Sequence, residues 1–483
     1  MAFCDAIILG AGVNGLACAR RLQQAGLSVL VLEAASGPGG GARVVEFHPG
    51  FRAPALAHAT MGLDPRLARL VPVALHPPMV TIANGLRVVA GQAEGPDTVA
   101  WSRLHTRLTR FAHVLAPFRR MAALNPGGGN DRLALVRRGL ALKLLGRGEL
   151  RELMRLILIN VHDVAEDELT DDRLRGLLAF DATLGAWAGP RSPNTLILYL
   201  DRLARGPSPL VPVGGMGALV AALSTGLSIR CNTRVARVLV EGERAVGVAL
   251  DNREEILATR VISALNTRTT LQDLVGARHL DTGLYRRAGH IRMRGGAARL
   301  LLALRGLPDL DNPAARHVLA PSSKAVDSAF DPAKYGQVPQ HPVLEFILPS
   351  VLDPALAPPG AHVLSATVQF APHSPRDPDA ARAQMLENTL KVLEVHIPGL
   401  RAEILHARML IPSDIYTLYG LPDWHHGELA VEQMLFNRPL YGLHRHATPI
   451  EGLWLASAGC HPGGGIEGAA GWNAAEALLE ARQ

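Results

Sequence analysis

Residues 6–33, A-I-I-L-G-A-G-V-N-G-L-A-C-A-R-R-L-Q-Q-A-G-L-S-V-L-V-L-E, constrain the fold more tightly than any other stretch of the chain. The unbroken apolar run Ala6–Leu9 reads as a strand buried on both faces, and Leu16–Ala25 has the spacing of a helix packed on it. Between them Gly10, Gly12 and Gly15 form G-x-G-x-x-G. The first glycine permits the tight turn, the second lets the main chain approach a pyrophosphate, and the third lets helix and strand pack closely. Free N–H groups at the helix start then face the anion. A second strand, Ser28–Leu32, ends in Glu33, eighteen residues beyond Gly15, where a carboxylate accepts from ribose hydroxyls and favours an adenosine without a 2′-phosphate. Gly10, Ala11, Gly12, Val13, Asn14, Gly15, Glu33 and Ala34 are the candidate dinucleotide contacts of this segment.

Chain length and composition narrow the class. At 483 residues the chain exceeds one simple core, so two intertwined domains are expected. Hydrophobic residues at 48% and charged residues at 19% fit a folded globular protein. The net charge of +6 suits an anionic cofactor, an acidic partner or a membrane surface. Nucleic acid is the weaker match, because the chain has no lysine-rich tail and no basic motif interleaved with aromatics. Cys4, Cys18, Cys231 and Cys460 are widely spaced and form no C-x-x-C pair, which indicates neither a disulfide framework nor a metal site. A reducing, cytoplasmic setting is expected, with no signal peptide. No segment reaches the roughly 18 consecutive apolar residues of a membrane span.

After Glu33 the loop Ala34-Ala35-Ser36-Gly37-Pro38-Gly39-Gly40-Gly41-Ala42-Arg43 is too glycine-rich for a helix or strand interior. It reads either as a wrap against a cofactor, with Arg43 near phosphate or ring edge, or as a surface loop. The order G-x-G-x-x-G, Glu33, Gly40-Gly41 favours flavin over nicotinamide. On these residues the sequence resembles the flavin-dependent amine oxidase and phytoene desaturase superfamily. The resemblance implies FAD, with Gly40, Gly41, Ala42 and Arg43 beside it.

Residues 64–207 are rich in Leu, Arg and Ala, and Trp101–Met121 and Leu133–Val161 carry helical spacing, so a mostly helical insertion is expected. Pro126–Asn130 and Gly189–Pro193 interrupt it. Arg137, Arg138, Lys143, Arg147, Arg151 and Arg155 alternate with leucines, a pattern that suits a solvated helix face, a membrane surface or a protein partner. Val211–Leu219 then leads into a helix ending near Leu223, followed by strands at Ile229–Leu239, Ala245–Asp251 and Arg260–Ala264. Within the superfamily, the resemblance places Val235 against adenine and Ser263-Ala264 beside the cofactor. From 285 to 424 the pattern is strand-rich, with Ala297–Leu304, Val343–Leu348 and His362–Phe370 as strands and a helix at Ala380–His396. The proline-limited connection Leu348–Gly360 most resembles that of the phytoene dehydrogenase-like flavoproteins, including their pyridine nucleotide-disulphide oxidoreductase domain-containing branch.

Near the C-terminus, Leu453–Ser457 reads as a strand running through a glycine turn into a helix from Ile466 to Ala481. A helix start aimed at the flavin would stabilise charge on the reduced ring. Gly459-Cys460-His461-Pro462-Gly463-Gly464-Gly465-Ile466-Glu467-Gly468 resembles the closing motif of the same family, which adds Gly459, Gly464, Gly465 and Ile466 to the cofactor contacts. His461 is the candidate catalytic residue, touching flavin or a substrate carbonyl, or else a histidine that stabilises the turn. Cys460 reads as an inert buried thiol. His425 and His426 diverge too far to share a metal, leaving one of them to face substrate. Glu467 reads as a partner of the helix dipole.

The chain is thus expected to be α/β. A Rossmann-like FAD-binding domain (1–63, 208–284 and 425–483) interleaves with an α+β substrate domain, made of the helical insertion 64–207 and the strand-rich part 285–424. The expected activity is FAD-dependent dehydrogenation of a C–C bond of an apolar or bulky small molecule. The alternatives are amine oxidation at a C–N bond and a low-turnover flavin-bound interaction protein.

Overall fold

A computed structural model of the chain describes residues 3–119, 136, 139–140 and 143–481. The Pro126–Asn130 break and Arg137 and Arg138 of the basic stretch lie outside the described residues. Two sheets organise the rest.

The first sheet has seven strands. Phe3–Leu9 lies at its centre, parallel on one side to Val29–Leu32 and on the other to Glu255–Ser263. Side chains alternate across a strand, and both faces here are covered. Ala6 and Ile8 pack under the helices Val13–Gln24, Gly215–Ser224 and Ala469–Glu480, while Ile7 and Leu9 pack against Val238, Val248 and Ile256 of the meander. An unbroken apolar run is the sequence trace of that two-sided burial. Glu255–Ser263 is long enough to pair twice along its other edge. Its first half takes Arg244–Leu250 antiparallel, and its last three residues take Leu453–Leu455 parallel. The chain's last strand thereby joins the sheet one strand away from the first, with Glu255–Ser263 between them.

One strand expected at Ile229–Leu239 is two. Ser228–Arg230 extends the parallel sheet and Val235–Glu241 joins the meander. Asn232, at φ 50°, turns the chain between them. The Thr233 N–H donates to the Glu33 carbonyl at 2.8 Å, which holds the break against the end of the second strand.

The second sheet has eight strands, in the order Ile404–Leu410, Ala297–Leu304, His362–Gln369, Val343–Ile347, Arg316–Leu319, Thr81–Ala83, Leu86–Val89 and Gln92–Ala93. One face packs Ala298, Leu300, Leu302, Leu344, Phe346 and Leu364 against Met385, Leu390 and Leu393 of the helix Pro378–His396. The other carries Arg299, Thr367 and Glu345. The register sets Arg299 opposite Thr367 and Thr367 opposite Glu345, so the three form one row across three strands.

The segment expected to be helical holds the helices Thr98–Arg119, Gly146–Leu158, Val161–Glu168, Asp172–Thr183 and Thr195–Arg205 around one apolar cluster. It also contributes the three strands between Thr81 and Ala93 to the second sheet. These are short and carry Gly85 and Gly91 at their turns, a signal easily masked by the longer helical periodicity that follows. In Gly146–Leu158 the leucines at 153 and 156 are buried, and Arg155 pairs with Glu152 at 2.9 Å. Among the described residues no helix is long and apolar enough to cross a membrane.

Candidate cofactor and active site

A cavity of about 1020 Å³ runs from the first glycine turn to the polar face of the second sheet. Its dinucleotide end is built from main chain. Gly10 has φ +92°, and a Cβ on Gly15 would stand 2.1 Å from the Gly10 carbonyl, so both positions require glycine. A Cβ on Gly12 would meet nothing within 4 Å, leaving that surface open to a ligand. The helix Val13–Gln24 begins there with no side-chain cap, and its first N–H groups are free for an anion. Gly39 bridges Gly12, and a Cβ on Gly40 would come 3.1 Å from the Gly12 Cα, so the second glycine loop closes directly on the first. Glu33 accepts from the Ala11 N–H at 2.7 Å and the Ala35 N–H at 2.8 Å, with lone pairs left for hydroxyl donors. Arg43 lies over the Tyr419 ring at 5.7 Å, and its buried Nε has no partner. An open main-chain cradle, free helix-start donors and an unpartnered guanidinium nitrogen together fit an adenine dinucleotide.

Of the residues expected at the cofactor, Gly10, Gly12, Val13, Asn14, Gly15, Glu33, Ala34, Gly40, Gly41, Arg43, Val235, Ala264, Gly465 and Ile466 line this cavity. Ala11, Ala42, Ser263, Gly459 and Gly464 stand behind it. Ala11 orients Glu33, Ala42 is fully buried, and the Ser263 hydroxyl is shared with Thr270 Oγ1 at 2.6 Å. The Gly459 N–H donates to Ser457 Oγ at 3.1 Å. A Cβ on Gly464 would press on Arg205 Nη2 at 2.8 Å and His425 Nδ1 at 3.1 Å.

His461 does not line the cavity. It is buried, its Nε2 donates to the Phe118 carbonyl at 2.7 Å, and burial holds it neutral with a pKa of about 4. It ties the C-terminal turn to the helix Thr98–Arg119. That turn is wound by Gly463, Gly464, Gly465 and Gly468, all at positive φ, and the last helix begins at Ala469, three residues later than the apolar spacing suggests. Glu467 pairs with Arg119 at 3.1 Å and Arg205 at 3.3 Å, so two arginines hold it. The Cys460 thiol is buried in an apolar cluster and pushed by burial up to about 11. Arg438, also buried, donates to the carbonyls of His425, Gly427, Glu428, Gln433 and Ala458 and staples the loop before the turn.

His425 and Trp424 do line the cavity. Neither ring nitrogen of His425 has a partner, nor has Trp424 Nε1. Burial first, then Arg205 and Arg438, lower His425 to about 3, so a neutral imidazole faces the cavity.

The remaining wall carries charges that spacing along the chain does not bring together. Arg316 Nε meets Glu345 at 2.6 Å and its Nη2 meets Asp181 at 2.6 Å. Arg202 reaches Asp181 at 3.3 Å, and His58 Nε2 reaches Glu345 at 3.4 Å. Burial raises Glu345, but Arg316 and His58 outweigh it and hold the carboxyl well below its ordinary range. The sequence signal for this cluster is a charge within an apolar strand, as in A-A-R-L-L-L-A-L around Arg299 and V-L-E-F-I around Glu345.

The two sheets, the wound glycine turns and the cavity between them define a flavoprotein oxidoreductase fold. Residues 14–479 match the flavin containing amine oxidoreductase family, and the chain belongs to it, with FAD as its cofactor. It is 27% identical over 541 residues to the mouse (Mus musculus) pyridine nucleotide-disulfide oxidoreductase domain-containing protein 2, covering 98% of this chain and 93% of that protein. It is 26% identical over 503 residues to a lycopene-forming phytoene desaturase of a Paracoccus species, covering 96% and 95% of the two chains. The crystal structure of an oxidoreductase from Methanosarcina mazei superposes with a TM-score of 0.61 at 17% identity, covering 99% of this chain and 100% of that one.

Proposed function

We propose that this oxidoreductase dehydrogenates a C–C bond of a bulky, largely apolar small molecule. The observation that carries the reading is the composition of the wall facing the substrate space. Met79, Leu184, Ala186, Leu198, Ile347 and Leu429 form an apolar part of it beside the charged cluster, and among the described residues no lysine lines it. Oxidation of an amine calls for an aromatic cage or a lysine and water relay. Here Tyr419 is engaged by Arg43, and among the described residues Tyr416, Tyr419 and Trp424 form no ring pair with one another. The desaturase relative, which by its name forms lycopene, supports the same chemistry.

FAD supplies the two-electron acceptor. The protein's part is to hold and orient. The main-chain cradle at Gly10–Gly15, Glu33 and Arg43 would hold the cofactor. The apolar wall excludes water and lays a hydrocarbon body along the cavity. His425, neutral at working pH, offers one donor and one acceptor to a polar atom of the bound ligand.

Anaerobic mixing of the FAD-loaded protein with candidate substrates tests the reading. Bleaching of the flavin by an alkene or saturated precursor is expected. Bleaching by amines alone would move the chemistry to a C–N bond. No bleaching by either, with a stable stoichiometric protein complex, would make the chain a flavin-bound interaction protein.

A further inference from the structure

Charge along the second sheet does not balance. Three guanidiniums, Arg202, Arg299 and Arg316, stand with two carboxylates, Asp181 and Glu345. His58 adds no charge. Arg299 Nη1 donates to its Nδ1 at 2.9 Å, so the proton of the neutral ring sits on Nε2, toward Glu345. Burial, followed by Arg299, holds that imidazole uncharged. Among the described residues, the carboxylates that pair with these arginines are the same Asp181 and Glu345. The wall is one anion short, and a buried charge is stable only when paired.

Arg202 is the member with donors to spare. Arg299 has a buried Nε without a partner, but it is fully buried behind the cavity, on Ser365, Thr367, Pro54 and His58, where no ligand in the cavity meets it. Arg316 is 2% exposed and committed at both ends to carboxylates. Arg202 lines the cavity, is 17% exposed and makes a single ion pair among the described residues, leaving most of its five N–H donors free. The helix Thr195–Arg205 presents Leu198, Arg202 and Arg205 to the cavity at i, i+4 and i+7. Arg205 is occupied by Asp201 at 2.5 Å and by Glu467, beside the C-terminal turn. The next position along that face therefore offers an apolar surface ending in one underused guanidinium.

We propose that the substrate carries a carboxylate that binds Arg202, with its apolar body along Leu198 and the neighbouring wall. The proposal rests on the dehydrogenation reading of the same site and names the class of molecule oxidised. A carboxylate matches the fork of a guanidinium and brings the single negative charge that is missing, whereas a phosphate would bring closer to two. Anchoring one end also selects which C–H bond lies over the flavin.

The test is equilibrium binding to the FAD-loaded full chain, read from the flavin absorbance on titration with decanoate and, separately, with decan-1-ol. Decanoate should bind about tenfold or more tighter than the alcohol, as a charge-assisted hydrogen bond carries. Arg202→Gln should erase that preference while keeping FAD content and decan-1-ol affinity, and Arg202→Lys should recover part of it. Equal binding of the two probes by the unmodified protein would overturn the proposal without any variant being needed. So would a preference that survives in Arg202→Gln, or release of FAD by that variant, which would assign the cation to the cofactor. If decanoate is preferred yet no precursor bleaches the flavin, the dehydrogenation reading fails and the carboxylate site stands.

Discussion

At the glycine-turn end of the cavity, the surface is built by main chain. Gly10, Gly12 and Gly15 lie within six residues of one another, and the donors are N–H groups of a helix start. At the wall of the second sheet it is built by side chains. His58, Asp181, Arg202, Arg316 and Glu345 come from five separated segments, and each is held by its neighbours' charge. A main-chain site tolerates most side chains but no Cβ in the wrong place. A charge-built site tolerates small changes of shape but no change of charge.

The contrast breaks most sharply at Gly15. Gly15→Val drives side-chain atoms into the Gly10 carbonyl, 2.1 Å from the Cβ position, and the purified protein should carry no flavin absorbance. Retention of FAD would show that main-chain approach is not what holds it. At the other wall, Arg316→Met leaves Asp181 and Glu345 buried without their main partner. It should cost about 3–5 kcal/mol, read from the urea midpoint.

Acid should weaken the molecule by a smaller and graded amount. Burial depresses His425 to about 3 and His317, His426, His446 and His461 to about 4, below the ordinary 6.5. Between those values the unfolded chain binds protons that the folded one refuses. Stability is then complete above about 6.5 and falls as pH drops toward 4. Asp423, pushed by burial to about 6, acts in the opposite sense, favouring the fold at the acid side of that window, but it is one group against five. Urea midpoints measured from pH 7 to pH 4 should fall throughout; a flat profile would contradict the buried neutral histidines.

The smallest effect sharpens the main-chain half of the comparison. Gly41 has no positive φ, and its Cβ would meet Leu56 at an ordinary 3.6 Å. Gly41→Ala should leave FAD bound and stability within about 0.5 kcal/mol. Gly40→Ala, at φ +54° and 3.1 Å from the Gly12 Cα, should cost more.

The cofactor end was legible because its determinants are local. The run before Gly10, the glycine spacing and Glu33 are neighbours in sequence and remain neighbours in space. His461 misled because its motif position lies next to residues that line the cavity, Gly465 and Ile466, while its ring points back to the Phe118 carbonyl. Asp181, Arg202 and Glu345 gave no periodic signal. They sit on a helix, a second helix and a strand, and only the register of that sheet and the packing of those helices set them together. Trp424 and His425, both on the cavity wall, gained meaning only from their unpartnered nitrogens.

By itself, the amino-acid order determined an α/β flavoprotein with a glycine cradle at its N-terminal turn, because strand, glycine turn, helix and acid need only short-range geometry. Tertiary structure alone decided what makes up the rest of the cavity wall. A wall with three arginines, two carboxylates and a neutral histidine exists only after residues hundreds of positions apart are brought within hydrogen-bonding distance, and no pattern along the chain encodes the charge left over.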